Sequence, residues 1–112
     1  NNIEREKMIT LKGQLICGIE RNGVQHRDFE LRAATIADAI ASIEKAGPNA
    51  SHLKLRIYKA AEQMVSLGSL SKDEITGEFL LSLPEDDVEP IYNAQDELEK
   101  KRKGLSNPSS PT

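Results

Sequence analysis

Asn22-Gly23 stands between two stretches of alternating apolar and polar residues, and this arrangement constrains the fold more than any other feature of the chain. Asn-Gly suits a two-residue type I′ turn, in which both central residues take positive φ. Before it, Ile9 and Leu11 alternate with Thr10 and Lys12, and Leu15, Cys17 and Ile19 alternate with Ile16, Gly18 and Glu20. A period of two places Leu15, Cys17 and Ile19 on one face of an extended strand. The return strand runs from about Val24 to Leu31, with Phe29 and Leu31 on one face and Asp28 and Glu30 on the other. Gly13 and Gly18 interrupt the first strand and mark a bulge or a bend. The spacing predicts an antiparallel hairpin over about residues 8–32.

From Ala33 the period changes to that of helices. Thr35 is placed to cap a helix by accepting from the amide of Asp38, and Asp38 falls in the first turn, where the helix dipole favours an acid. Ile36, Ile40 and Ile43 recur at helical spacing among alanines, and Gly47-Pro48 ends the run. Ser51 caps a second helix, whose stripe is Leu53, Ile57, Ala60, Ala61, Met64 and Leu67, stopped by Gly68. Ser71 and Glu74 have the spacing of a capping box before a short helix with Ile75, Phe79 and Leu80 inward. Leu83-Pro84-Glu85-Asp86 opens the last helix, with Val88, Ile91, Gln95 and Leu98 on its inner side and Lys100–Lys103 at its C-terminus. The expected fold is α+β, an N-terminal antiparallel β-hairpin followed by a small bundle of three or four helices over about residues 35–101. One domain spans residues 1–103, and the proline- and serine-containing residues 104–112 are expected to be a disordered tail.

The residues that usually carry catalysis are few. His26 and His52 have no His or Cys partner at metal-ligand spacing and read as surface or capping histidines. The single cysteine, Cys17, lies in an apolar alternation and reads as a small buried hydrophobe; it excludes an internal disulfide framework. Glu85, Asp86 and Asp87 are neighbours in sequence rather than carboxylates facing across a cleft. The glycines lack the spacing, the lysine and the hydroxyl of a phosphate loop. The expectation is a chain that is not an enzyme and has no catalytic, metal or cofactor site. Residues 1–7 are too polar for a signal peptide, and no apolar run has the length of a transmembrane helix.

Charge and a small core point instead to a partner. The net charge is −3, which weighs against general nucleic-acid binding. Residues 68–99 hold ten acidic groups and one basic group, whereas residues 100–112 hold four basic groups and no acid. Ile57, Met64, Leu67, Phe79, Leu80 and Tyr92 are the candidate apolar contacts, on the argument that one 112-residue chain without tryptophan cannot use all of them in its own core. Glu78, Glu85, Asp86 and Asp87 are expected to add steering and solubility. Self-association as a homo-oligomer is expected to supply further burial. A second class of function is a small nucleic-acid-associated regulator using a helix and the basic run Lys100–Lys103. Its weakness is the first helix, in which Lys45 is the only base.

The ordered pattern of these pieces resembles the small tail assembly chaperone family of long-tailed bacteriophages, in the form found in Mu-like phages and prophages. The resemblance covers about residues 8–101: a Thr10-Leu11 start and hairpin, then Leu31-Arg32 with Thr35 and Asp38, then Gly68, Leu70, Ser71 and Glu74, and a last segment from Leu83 to Leu98. The family's aspartate after the last leucine is matched by Asp86 or Asp87. The resemblance implies a non-enzymatic protein that binds tape measure and/or tail tube protein during tail morphogenesis and keeps it soluble. It implies action in the cytoplasm of the bacterial host and absence from the mature virion.

Overall fold

The chain forms a three-stranded antiparallel sheet backed by helices. The computed structural model describes residues 9–106, so the expectations for residues 1–8 and 107–112 lie outside the described residues. Strands β1 (Thr10–Arg21) and β2 (Val24–Arg32) form the hairpin. Helix α1 (Ile36–Ala46) and helix α2 (His52–Gln63) follow, and β3 (Met64–Leu67) adds to the free edge of β2 to give the order β1-β2-β3. A 3₁₀ turn at Lys72–Glu74 precedes the short α3 (Gly77–Leu81), and a second at Glu85–Asp87 leads into α4 (Val88–Ser106).

The turn is as the Asn-Gly pair demands, with φ of 53° at Asn22 and 78° at Gly23. Pairing runs Thr10↔Arg32 to Gln14↔Asp28 and resumes at Ile19↔His26. Residues 15–18 therefore bulge opposite Arg27 alone. Leu15 turns into the core beside Phe29 and Leu31, while Cys17 and Ile19 are only half-buried and Ile16 is exposed. The helices complete that core with Ile57, Ala60, Ala61, Ile91, Ala94 and Leu98. Helix α4 lies against β1, and α1 and α3 both pack on α2.

Three local expectations change. The stripe expected to continue helically to Leu67 divides at Gln63, because Met64 leaves the helix at φ −73°, ψ 117°. Residues Met64–Leu67 are a strand, paired as Leu31↔Met64, Glu30↔Ser66 and Phe29↔Leu67. This satisfies the second edge of β2 and still brings both Met64 and Leu67 into the core. The Lys72 ammonium donates to the carbonyls of Ala61 and Met64, where the end of α2 leaves acceptors without helical partners. The Ser71/Glu74 capping box closes the 3₁₀ turn, and α3 has its own cap, Thr76, whose Oγ1 accepts from the Phe79 amide at 3.1 Å. Helix α4 runs to Ser106, so residues 104–106, expected in the tail, are helical.

His26 is a fourth difference. It is buried, its Nδ1 accepting from the Ser69 amide at 3.3 Å, rather than lying at the surface.

The two glycines with positive φ in the hairpin differ in their surroundings. A Cβ on Gly23 meets nothing within 4 Å, whereas one on Gly18 would sit 2.3 Å from the backbone oxygen of His26. Gly23→Ala is expected to cost only the backbone term, about 1–2 kcal/mol. Gly18→Ala adds a backbone collision and should lower the urea midpoint clearly further. Equal losses for the two variants would contradict the bulge geometry.

Candidate partner-binding surfaces

The bulge in β1 leaves backbone groups that β2 cannot pair, and side chains satisfy them. Asp87 is 1% exposed, and its carboxylate accepts from the amides of Cys17 at 2.7 Å and Gly18 at 2.9 Å. From β2, Arg27 Nε donates to the Leu15 carbonyl at 3.0 Å and Gln25 Nε2 to the Cys17 carbonyl at 2.6 Å. Burial, with the carboxylates of Asp87 and Asp86 behind it, pushes the Cys17 thiol above its ordinary range, against the opposing pull of Arg27. A thiol held in this way stays protonated at neutral pH and is a poor nucleophile.

A second polar assembly fastens the helices. Arg32, at the end of β2, makes a bidentate pair with Asp38, at 2.6 Å and 2.9 Å. Asp38 Oδ2 also accepts from the Thr35 amide at 2.8 Å, completing a capping box. The Arg32 guanidinium reaches the Glu62 carbonyl at 2.9 Å, and Gln63 Nε2 donates to the Arg32 carbonyl at 2.9 Å. Gln95 Nε2 then donates to Gln63 Oε1 at 3.0 Å, and Arg56 Nε to Gln95 Oε1 at 2.8 Å. Arg56 also pairs with Asp96 and lies 3.9 Å from the centroid of the Tyr92 ring. The network links the hairpin, α1, α2 and α4, and no buried side-chain polar atom among the described residues is left without a partner.

These fastenings settle where the expected site residues lie. Ile57, Met64, Leu67 and Leu80 are buried in the core, and of the four only Ile57 and Leu80 line a surface groove. The strand pairing of β3 and the close packing of α3 on α2 let one chain bury them all, contrary to the expectation. Asp87 is withdrawn from the acidic surface, because it is buried with its carboxylate accepting from the bulge amides. Phe79 and Tyr92 are half-buried, and the Arg21 guanidinium stands 5.6 Å from the Phe79 ring centroid. Glu78, Glu85 and Asp86 are exposed. Of the two aspartates that could match the aspartate of the resemblance, Asp87 is the inward one.

The exposed apolar surface lies elsewhere. Helix α1 buries Asp38, Ser42 and Ala46 and turns Ile36, Ile40 and Ile43 outward, 80%, 52% and 58% exposed. A surface helix ordinarily does the reverse. The sequence marked these isoleucines as one stripe but not as the outer one. A second apolar feature is a groove of about 260 Å³ lined by Leu53 and Ile57 of α2, Leu80 and Leu81 of α3, Leu83 and Pro84, and Val88 and Ile91 of α4.

Comparison with family models, with curated proteins and with solved structures finds no match to this chain. Among the described residues no group of three or more His, Cys, Asp or Glu is placed to hold a metal ion. None of the described helices is long and apolar enough to cross a membrane.

Burial works against the charged form of Asp38, but the Arg32 hydrogen bonds and the Thr35 amide outweigh it and hold the carboxyl below its ordinary range. A carboxyl lowered on folding stabilises the fold above its unfolded value, about 3.9, and that contribution is lost as pH falls through the folded value. Asp38→Asn should therefore cost about 2–3 kcal/mol at pH 7 in urea unfolding. Its deficit relative to the unsubstituted chain should shrink as pH falls below about 4. A deficit independent of pH would contradict the ion pair.

Proposed function

We propose that this chain is a non-enzymatic tail assembly chaperone that binds tape measure and/or tail tube protein of a long-tailed phage and keeps it soluble during morphogenesis. The reading places it in the cytoplasm of the bacterial host and outside the finished virion. The observation that carries it is the outward isoleucine stripe of α1. Scattered exposed hydrophobes are ordinary, but three aligned isoleucines opposite a face of small and polar residues form a surface suited to a helical partner. Their spacing, i, i+4 and i+7, is that of a short seam between packed helices. Each isoleucine covered by a partner contributes roughly 1–2 kcal/mol, enough together to offset part of the cost of association.

The sequence resemblance supports the same reading, and its residues have structural work in this fold. Leu31 is buried, Arg32, Thr35 and Asp38 form the ion pair and cap that orient α1, and Asp87 holds the bulge.

The test is co-expression with a tape measure protein of a long-tailed phage. Ile40→Asp is expected to leave the circular dichroism spectrum unchanged, because the residue is half in solvent. It should cut the soluble, co-purifying tape measure protein severalfold. A soluble fraction that is the same with the chain, without it and with the variant would reject the chaperone reading.

A further inference from the structure

The groove between α2, α3 and α4 is separate from the isoleucine stripe in composition and in charge. Its floor is core, formed by Ile57, Leu80 and Ile91, and its walls carry Leu53 and Leu81, which are 51% and 46% exposed. Its volume, about 260 Å³, is less than that of a typical small-molecule site, which begins at about 300 Å³. It suits an apolar side-chain anchor instead. Glu85 lines the groove, and Asp86 and Glu89, one and four residues further along the chain, are exposed. Among the described residues none of these three acids has a basic partner within salt-bridge distance. Lys54, which follows Leu53 on α2, has its ammonium over the Tyr58 ring, 5.7 Å from the centroid. Asp87 also lines the groove, but it is buried and its carboxylate accepts from the bulge amides.

An apolar slot beside unpaired carboxylates selects by two criteria at once. Apolar anchors gain from entering it, and cations beside the anchors gain from the acids, whereas anions there are repelled. We infer that this groove docks a basic amphipathic segment of a partner protein, with large apolar anchors flanked by Lys or Arg. The inference rests on the reading of the chain as a protein-binding module and adds a second contact of defined chemistry. The anchors supply most of the affinity and the acidic edge supplies the choice of partner.

The test is selection from a displayed random library of peptides of about 16 residues, long enough for about four helical turns. The immobilised full chain is the target. Enriched peptides should pair apolar anchors with net positive charge. Measured by fluorescence anisotropy, their affinity should fall roughly tenfold in Leu81→Asp. It should fall severalfold at low salt in the triple variant Glu85→Gln, Asp86→Gln, Glu89→Gln, whose unchanged circular dichroism reports an intact fold. Enriched peptides without positive charge, or binding unaffected by Leu81→Asp, would overturn the inference. So would dimerisation through the groove, seen as a sedimentation mass above 12.4 kDa that Leu81→Asp restores to the single-chain value. A groove that selects basic peptides while the tape measure protein neither co-purifies nor stays soluble supports this inference and overturns the chaperone reading.

Discussion

The Asp87 carboxylate, bound to the amides of Cys17 and Gly18 across about seventy residues of sequence, is the interaction on which the arrangement of the chain depends. A bulge of residues 15–18 leaves peptide groups unpaired inside the protein, and unpaired buried peptide groups are costly. One buried anion answers two of them, while Arg27 and Gln25 answer the carbonyls. Asp87 also stands at the threshold of α4, so the same contact fixes that helix against β1. With α4 in place, Ile91, Ala94 and Leu98 close the core over Leu15, Phe29 and Leu31.

The Arg32–Asp38 pair sets the second constraint, and the outward isoleucines follow from it. Residues of a helix are about 100° apart around its axis. With Asp38 turned inward to Arg32, Ser42 and Ala46 fall on the same side. Ile36, Ile40 and Ile43 then fall roughly 140–200° away, on the far face. The polar fastening and the apolar surface are therefore one feature: α1 cannot keep its ion pair and bury its isoleucines within the same chain. The small inward residues let α1 lie close on α2, and Lys45 pairs with Glu62 at 2.7 Å across that contact.

Much of this was legible in the sequence because local chemistry dictated it. Asn22-Gly23, the caps at Thr35 and Ser51, and the stop at Gly47-Pro48 act over a few residues, and each stands where the spacing put it. What depended on distant partners was not legible. Period 3.6 continues through Met64 and Leu67 whether those residues are helical or extended, and only the free edge of β2 decides between them. The isoleucine stripe of α1 could be seen, but its direction comes from Arg32, on another element. Asp87 looked like one of three equivalent acids until the bulge singled it out. The same blindness assigned Ile57, Met64, Leu67 and Leu80 to a partner, whereas the third strand and the packing of α3 on α2 let the chain bury them itself. The signal that was available is the chemical oddity of α1, an acid, a serine and an alanine on one side and three isoleucines on the other.

The central claim is that α1 presents its isoleucines to a partner while the core stays closed. Isoleucine-methyl NMR of the labelled chain, titrated with a phage tape measure protein as the proposed partner, tests this most directly. The account predicts that the methyls of Ile36, Ile40 and Ile43 shift or broaden on binding while that of Ile75, buried and outside the groove, holds its position. Perturbation confined to the core methyls, or a spectrum in which the α1 methyls do not respond to a partner that binds, would contradict it.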